Sequence, residues 1–533
     1  VSISDERSRR GNASDIVERQ VSAGRGDARA IVAEDATLTY EELRRRINRA
    51  GRVLRDLGVR REQRILLVLD DTSVFPIMFL AAMRIGAVPV PVSHLDKDDN
   101  FRHFVDDSYA ELVVADAGIM ERLVRALGDR PVRWLVRGVH GAGVVELDEA
   151  MEAEDDELDS VPTHPDDMAF WLYSSGSTGR PKGVVHLHHD IRVTYETYAD
   201  QVLGLTAGDV TFSTTKLFHA YGLGNGLSFP LSAGATAVLM RGPTKPEAII
   251  ATLRRHRPSV LFSVPGLFAA LVRDADAEGA LESVRFCVSA AEPLPATTIE
   301  RWRERFALDI VDGIGSTEML HIYCSNRPGR IAPGTTGWPV PGYELRIVDD
   351  HGLALDGPGV GELQVRGDSC AAYYWHQHDK TKRSMLGDWF TTGDRYELGD
   401  DGAYTYVGRT DDMLKVGGLW VSPVDMELVL MEHPRVAAAG VVGVTMEGAT
   451  RLAAYVECDG EARDEAFADE LRAWCKERMR RYEYPHLVRF VDGLPRTLTG
   501  KVQRYRLREW ADEAVRAAPD LAGAAPSVGQ PPG

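Results

Sequence analysis

A chain of 533 residues is too long for one hydrophobic core, so two or more domains are expected. Its 44% hydrophobic share is that of a soluble globular protein, and 80 acidic residues against 62 basic ones, a net charge of −18, weigh against a nucleic-acid partner, which would require a basic face. Five scattered cysteines (Cys287, Cys324, Cys370, Cys458 and Cys475) form no C-x-x-C pair, which argues against a disulfide framework or a zinc site and fits a reducing cytoplasm.

The opening stretch VSISDERSRRGNASD is polar and charged, so no signal peptide is expected. TYEELRRRINRAGRVLRDLGV (39–59) is predicted to be a helix. Thr39 and Glu42 have capping-box spacing, and Tyr40, Leu43, Ile47, Ala50 and Leu54 recur at steps of three and four. RILLVLDD (64–71) reads as a buried strand, VFPIMFLAAMRIG (74–86) as a helix, and AVPVPVS (87–93) and ELVVAD (111–116) as further extended segments. Apolar runs such as IMFLAAM (77–83) fall far short of the roughly 20 residues of a membrane span, so no membrane partner is expected. The strand–helix alternation continues to about residue 340 and predicts an α/β fold with largely parallel sheets.

YELRIVDDHGLALDGPGVGELQVRG (343–367) changes the texture to short strands and Gly/Asp turns, which suggests a small antiparallel, β-barrel-like part. A second change at GRTDDMLKVGG (408–418) opens a small α+β unit: VDMELVLMEHP as a helix, VAAAGVVGV and RLAAYVEC as strands, and a helix around 465–481. The expected organisation is a large domain over 1–410, a small mobile C-terminal domain over 411–517, and a low-complexity, disordered tail over 518–533. Only nine lysines occur, so nearly all the basic charge is arginine. Each lysine therefore invites a reason, because arginine does not replace a compact ammonium everywhere.

YSSGSTGRPKG (173–183) packs three glycines, four Ser/Thr hydroxyls and a lysine into eleven residues. Small residues let backbone N–H groups approach phosphate, and hydroxyls add donors, so an anion cradle is a better reading than a polar surface turn. It differs from the G-x-x-x-x-G-K-[ST] loop, because Pro181 precedes Lys182 and Gly183 follows it. On its own the cradle is compatible with an ATPase, a phosphotransferase or a non-catalytic nucleotide-binding protein.

Five motifs in order resemble those of the adenylate-forming superfamily of acyl-CoA ligases, peptide-synthetase adenylation domains and luciferases. YSSGSTGRPKG resembles its phosphate loop and GIGSTE (313–318) its second nucleotide motif. FTTGD (390–394) resembles the ribose motif, GRTDDMLKVGG the hinge, and PRTLTGK (495–501) the motif of the catalytic lysine. The resemblance runs from about residue 12 to 512. It implies that ATP, Mg²⁺ and coenzyme A serve a two-step reaction through an acyl-AMP. Ser174, Ser175, Ser177, Thr178 and Lys182 would hold the β- and γ-phosphates. Thr317 would touch the α-phosphate, and Glu318 would ligate Mg²⁺. Ala291, Glu292 and Asp312 match the adenine positions. Asp394 would accept the ribose hydroxyls, although a turn Asp after Gly393 is the plainer alternative. Arg409 would contact the ribose or steady the hinge. Lys501 would reach the carboxylate and α-phosphate, unless it is a generic surface lysine. Asp411 fits the hinge about which the small domain rotates between the two steps, and Gly417 and Gly418 the pantetheine tunnel. Ile314 replaces the family's usual aromatic before Gly-x-Thr-Glu, so adenine would meet an aliphatic side chain there.

Within that superfamily FWLYSSGSTGRPKGVVHLHHD (170–190), KLFHAYGLGN (216–225), DGIGSTEMLHIYCSN (312–326) and TGWPVPGYELRIVD (336–349) are most similar to benzoate-CoA and hydroxybenzoate-CoA ligases. The likeness implies an aryl pocket of Ala220, Tyr221, Gly315, His321 and Ile322, with Lys415 near the carboxylate. His321 is also open to reading as a satisfied structural histidine. The sequence departs from the pattern at His219, where the benzoate enzymes have Phe and other aryl ligases a histidine gate. It departs again at Ala291 in SAAEPLP, where Gly is usual, and at Gly266 in VPGLF, where Thr is usual. One methylene in a pocket is worth about 1–3 kcal/mol, so these changes leave benzoate and a substituted or heteroaromatic acid equally open. A phosphopantetheinyl carrier protein is the alternative acceptor to CoA.

Overall fold

The computed structural model describes residues 11–174, 180–416, 419–446, 449–458, 463–480, 483–496 and 502–517. Its contacts divide the chain into two compact units. The first comprises 1–346, 364–392 and 401–404; the second comprises 347–363, 393–400 and 405–533. The second unit is thus larger than the C-terminal unit expected from the change at 408–418, because it also takes in 347–363 and 393–400.

In the first unit, the helix Tyr40–Asp56 begins at the Thr39 cap. Thr39 Oγ1 accepts from the Glu42 N–H at 3.2 Å, and Glu42 Oε2 accepts from the Thr39 N–H at 2.8 Å. Its stripe of Tyr40, Leu43, Ile47, Ala50 and Leu54 is buried in one core with the helix Val74–Arg84, which is buried along its whole length. Burial of each large aliphatic side chain contributes about 1.5–3 kcal/mol.

Two sheets follow from the alternation. One is all-parallel, in the order Val88–Pro91, Arg64–Val68, Leu112–Asp116, Arg133–Arg137 and Val144–Glu146. The other has nine strands. Its parallel centre runs Arg29–Val32, Thr236–Val238, Val210–Ser213, Val260–Ser263, Phe286–Ser289 and Ile310–Gly315, with antiparallel strands at both edges. The strand order reverses between Val210–Ser213 and Val260–Ser263. Ligands of open α/β sheets bind outside the carboxyl ends of the strands at such a reversal. Here those ends lead into 214–221, 264–266, 290–292 and 316–318, segments that carry His219, Ala220, Tyr221, Ala291, Glu292, Thr317 and Glu318 among the candidate residues. A three-stranded antiparallel sheet joins Met168–Ser174, Lys182–Leu187 and Tyr373–Tyr374.

The change of texture past 343 appears as short strands, Glu344–Val348, Gly359–Arg366, Met385–Leu386, Trp389–Leu398 and Tyr404–Arg409. Of these, Met385 and Leu386 pair antiparallel with Phe390 and Trp389. In the second unit Val436–Met446 pairs antiparallel with Ala449–Cys458, which pairs parallel with Leu487–Phe490. The helices Pro423–Met431, Glu465–Arg478 and Arg504–Ala517 accompany them. This is the α+β pattern the sequence predicts, and no helix among the described residues is long and apolar enough to cross a membrane.

Candidate active site

The two limbs of the glycine-rich loop close as a hairpin, with Ser174 opposite Lys182. The Ser174 hydroxyl is buried and has no hydrogen-bond partner among the described residues. His103 Nε2 donates to the Pro181 carbonyl at 2.7 Å and pins the second limb. Ser175, Ser177 and Thr178 lie outside the described residues.

Lys182 Nζ donates to Glu318 Oε1 at 2.8 Å, and the Tyr374 hydroxyl donates to the same oxygen at 2.8 Å. The ammonium also lies 3.7 Å from the Tyr374 ring centroid. The lysine expected on phosphate and the glutamate expected on metal are therefore partners of each other. Burial opposes ionisation of Glu318, but the Lys182 charge and the hydrogen bonds from Lys182 and Tyr374 hold its carboxyl below the usual range. Lys380, on the helix His378–Ser384, brings a second ammonium to 5.8 Å from the same ring centroid. Burial and the neighbouring Lys182 push its ammonium below the usual lysine range.

The turn holding Thr317 and Glu318 is fixed from below. His186 Nε2 donates to the Thr317 carbonyl at 2.8 Å, and His186 Nδ1 lies 2.7 Å from Asp190 Oδ2. Both residues are fully buried. The Glu318 carbonyl accepts from the Ala371 N–H at 2.7 Å.

Ser263, Ser289 and Asp312 stand in register across three adjacent parallel strands. Asp312 is buried, and its Oδ1 has no hydrogen-bond partner among the described residues. Burial pushes its carboxyl well above the usual range, only partly offset by the Ser289 hydroxyl and the Gly313 N–H. Such an orphaned acceptor suits the exocyclic amine of adenine. In the adjoining loop Ala291 takes φ +82°, a left-handed conformation that explains why glycine is usual there. Glu292, next to it, is partly buried.

The turn 216–219 is held by two acidic residues. Asp70 Oδ1 accepts from Lys216 Nζ at 3.2 Å, and Asp71 Oδ1 accepts from the Leu217 N–H at 3.1 Å. His219 precedes the short helix Ala220–Leu223, its ring 4.5 Å from Phe218. Tyr221 directs its hydroxyl to the Val288 carbonyl at 3.0 Å, with the Ser263 carbonyl at 3.3 Å. Ala220, His321 and Ile322 are buried. His321 is sandwiched among Phe229, Tyr198 and Tyr221 at 4.4, 5.5 and 5.5 Å, with Nε2 3.1 Å from Asn225 Oδ1. Burial drives its pKa down to about 3, so the ring is neutral. Its Nδ1 is buried with no hydrogen-bond partner among the described residues, so only one of its two ring nitrogens is satisfied, and the ring stands beside Tyr221. Gly224 makes room for it, because a Cβ there would stand 2.3 Å from His321 Cδ2. A Cβ on Gly315 would stand 2.5 Å from the His321 carbonyl oxygen, whereas one on Gly266 would meet nothing within 4 Å.

In the second unit, Asp394 Oδ1 accepts from Arg409 Nη1 at 2.9 Å. Gly393, at φ +74°, lets that guanidinium cross the turn, since a Cβ would stand 2.9 Å from Arg409 Nη2. Burial opposes the Arg409 charge, but Asp394 and Tyr406 raise its pKa further. Asp411 is exposed on the turn Thr410–Asp412. Lys415 lies in the strand Leu414–Val416, opposite Trp420. Gly417, Gly418 and Lys501 lie outside the described residues.

Sequence reasoning missed Tyr374, Lys380, Asn225 and the His186–Asp190 pair. The i, i+4 spacing in HLHHD and the scarcity of lysine were the available signals for His186–Asp190 and Lys380; Tyr374 and Asn225 had none.

A carboxylate–lysine–tyrosine cluster and a buried, orphaned acceptor suit a nucleotide. Comparison with known proteins agrees. The AMP-binding enzyme model matches residues 17–375 and the AMP-binding enzyme C-terminal domain model matches residues 425–501, and the chain belongs to the AMP-binding enzyme family. The benzoate–CoA ligase of Thauera aromatica is 43% identical, over 93% of this chain and 95% of its own length. The 4-hydroxybenzoate–CoA/benzoate–CoA ligase of Rhodopseudomonas palustris is 42% identical over 95% of each. Among solved structures, a benzoate CoA ligase from Burkholderia xenovorans LB400 superposes with a TM-score of 0.88 at 41% identity, covering 93% of this chain and 99% of that one. The anthranilate CoA ligase AuaEII, in complex with anthranoyl-AMP, gives 0.91 at 34% identity, covering 95% and 98%.

Proposed function

We propose that the protein is an ATP-dependent aryl acid:CoA ligase, acting on benzoate or a substituted benzoate through an aryl-AMP. A carboxylate is a poor electrophile at carbon. In the first step its oxygen attacks the α-phosphorus of ATP, the bond to the β-phosphate breaks, and the electron pair leaves on pyrophosphate. In the second, the CoA thiolate attacks the acyl carbon and AMP departs with the C–O electron pair.

The observation that carries this reading is the Glu318–Lys182–Tyr374 cluster together with the buried, orphaned Asp312 carboxyl. Asp312 Oδ1 would take the adenine amine. Lys182, on leaving Glu318, would take the terminal phosphates with Ser174. Glu318 would then be free to hold Mg²⁺. Mg²⁺ is commonly bound by one or two carboxylates together with substrate phosphates. Bound there, Mg²⁺ would neutralise phosphate charge. His186 keeps the Thr317 backbone in place for contact with the α-phosphate. The aryl ring would lie against Ala220, Tyr221, Gly315 and Ile322, backed by the neutral His321, with His219 closing over it. From the second unit, Asp394 and Arg409 are assigned the ribose, Lys415 and Lys501 the carboxylate, Asp411 the hinge, and Gly417 and Gly418 the pantetheine arm.

A second reading ends at aryl-AMP or transfers to a carrier protein. What favours it is the 34% identity to p-hydroxybenzoic acid–AMP ligases of Mycobacterium tuberculosis, of whose length the chain covers 69%. The test is a panel of benzoates with ATP and either CoA or a holo-carrier protein. Acid-dependent pyrophosphate with aryl-CoA supports the ligase. Turnover with the carrier alone supports the second reading, and ADP formation contradicts both.

A further inference from the structure

The Tyr374 ring is shared by two ammonium groups, Lys182 at 3.7 Å and Lys380 at 5.8 Å from its centroid, while its hydroxyl is tied to Glu318. We propose that Lys380 is a second cation at the pyrophosphate end of the nucleotide site, taking the leaving diphosphate jointly with Lys182. The proposal rests on the adenylation reading above.

The placement is built into the backbone. Tyr374 pairs with Val184 and Tyr373 with Val185, on the strand that begins at Lys182. The Tyr374 N–H donates to Thr381 Oγ1 at 3.1 Å, and that hydroxyl donates to the Gln377 carbonyl at 3.0 Å. The helix His378–Ser384 is thereby rooted on the same strand pair, with Lys380 one residue from the anchor.

The charges do not balance. Glu318 is within ion-pair distance of Lys182, and among the described residues no carboxylate lies within ion-pair distance of Lys380. Arg383, exposed on the same helix, adds a third positive charge nearby. Two ammonium groups converging beside one carboxylate leave a cationic surplus that a polyphosphate would neutralise. As the α–β bond breaks, the electron pair and negative charge pass to the diphosphate, and a second fixed cation stabilises that charge. The chain has nine lysines in all and uses two of them here, where a compact ammonium suits a tetrahedral phosphate.

The test uses the full chain and the variants Lys380→Met and Lys380→Arg, with inorganic pyrophosphate as the probe. Benzoate-dependent ATP–pyrophosphate exchange is expected to fall roughly 10- to 100-fold in Lys380→Met, with a matching rise in the inhibition constant of pyrophosphate. Lys380→Arg should recover most of both. Thioester formation from synthetic benzoyl-AMP and CoA should stay within about twofold of wild type, because no diphosphate takes part. Titration of pyrophosphate into Lys380→Gln reads the same affinity without turnover. An unchanged pyrophosphate affinity, or equal losses in both half-reactions, overturns the proposal. A wild-type protein with no benzoate-dependent exchange would instead sink the adenylation reading on which it rests.

Discussion

Replacing Lys182 by methionine removes the cation paired with Glu318 and leaves that carboxylate with the Tyr374 hydroxyl and the more distant Lys380 ammonium. The two side chains are only 12% and 11% exposed, so little solvent is available to compensate. Deleting one partner of a buried pair costs about 3–5 kcal/mol, and the surviving Tyr374 hydrogen bond places the expected loss near the lower end, about 3 kcal/mol. The double variant Lys182→Met/Glu318→Gln buries no charge and keeps an amide oxygen for Tyr374, so it should return to within about 1 kcal/mol of wild type. Urea unfolding followed by tryptophan fluorescence reads both as midpoint shifts at a common slope. Both variants should lose about 100- to 1,000-fold in acid-dependent pyrophosphate release, which separates chemistry from folding. A single variant within about 0.5 kcal/mol of wild type, or a double variant as unstable as the single, would refute the buried-pair argument.

Three further outcomes are expected. Burial holds His188 near pKa 4, against an ordinary value of 6.5, while its Nδ1 accepts the Ala13 N–H at 3.0 Å. Between those values the unfolded chain binds the extra proton, so stability is full above pH 6.5 and falls by up to about 3 kcal/mol as pH drops towards 4. His188→Gln should flatten that limb of the stability–pH curve; the same slope in both proteins would count against it. In Gly224→Ala the new Cβ would sit 2.3 Å from His321 Cδ2, so the ring must leave Asn225. The KM for the aryl acid should rise about tenfold or more with the KM for ATP unchanged, and an unchanged acid KM would show that His321 does not shape the pocket. Lys501→Ala should lose about 100- to 1,000-fold in adenylation and be spared in thioester formation from aryl-AMP. Equal losses in the two half-reactions would remove Lys501 from the first step.

The fold was legible where pattern and packing agree. The Thr39 cap, the stripe from Tyr40 to Leu54 and the apolar strand at 64–68 are local signals that burial reinforces. The motifs likewise named Lys182, Glu318 and Asp394 one by one. That Lys182 and Tyr374 converge on Glu318 was not legible, because these residues come together only through the order of the strands. Nothing in YYWHQHDK announces that Tyr374 donates to Glu318 or that Lys380 faces the same ring. Nothing in KLFHAYGLGN announces that Asn225 Oδ1 stands 3.1 Å from His321 Nε2. Ala291 lies between these cases. The missing glycine in SAAEPLP was visible, whereas its left-handed backbone emerged only from the turn it occupies. The contact boundary within 347–400 was also hidden, since short Gly/Asp-rich strands look alike whichever unit they join.

The measurement that bears most directly on the central claim is the product balance of the full chain with ATP, Mg²⁺, CoA and benzoates presented one at a time. The account requires one AMP, one pyrophosphate and one aryl-CoA per acid consumed, with no pyrophosphate when the acid is withheld. Formation of ADP and phosphate, or of AMP independent of any aromatic acid, would contradict it.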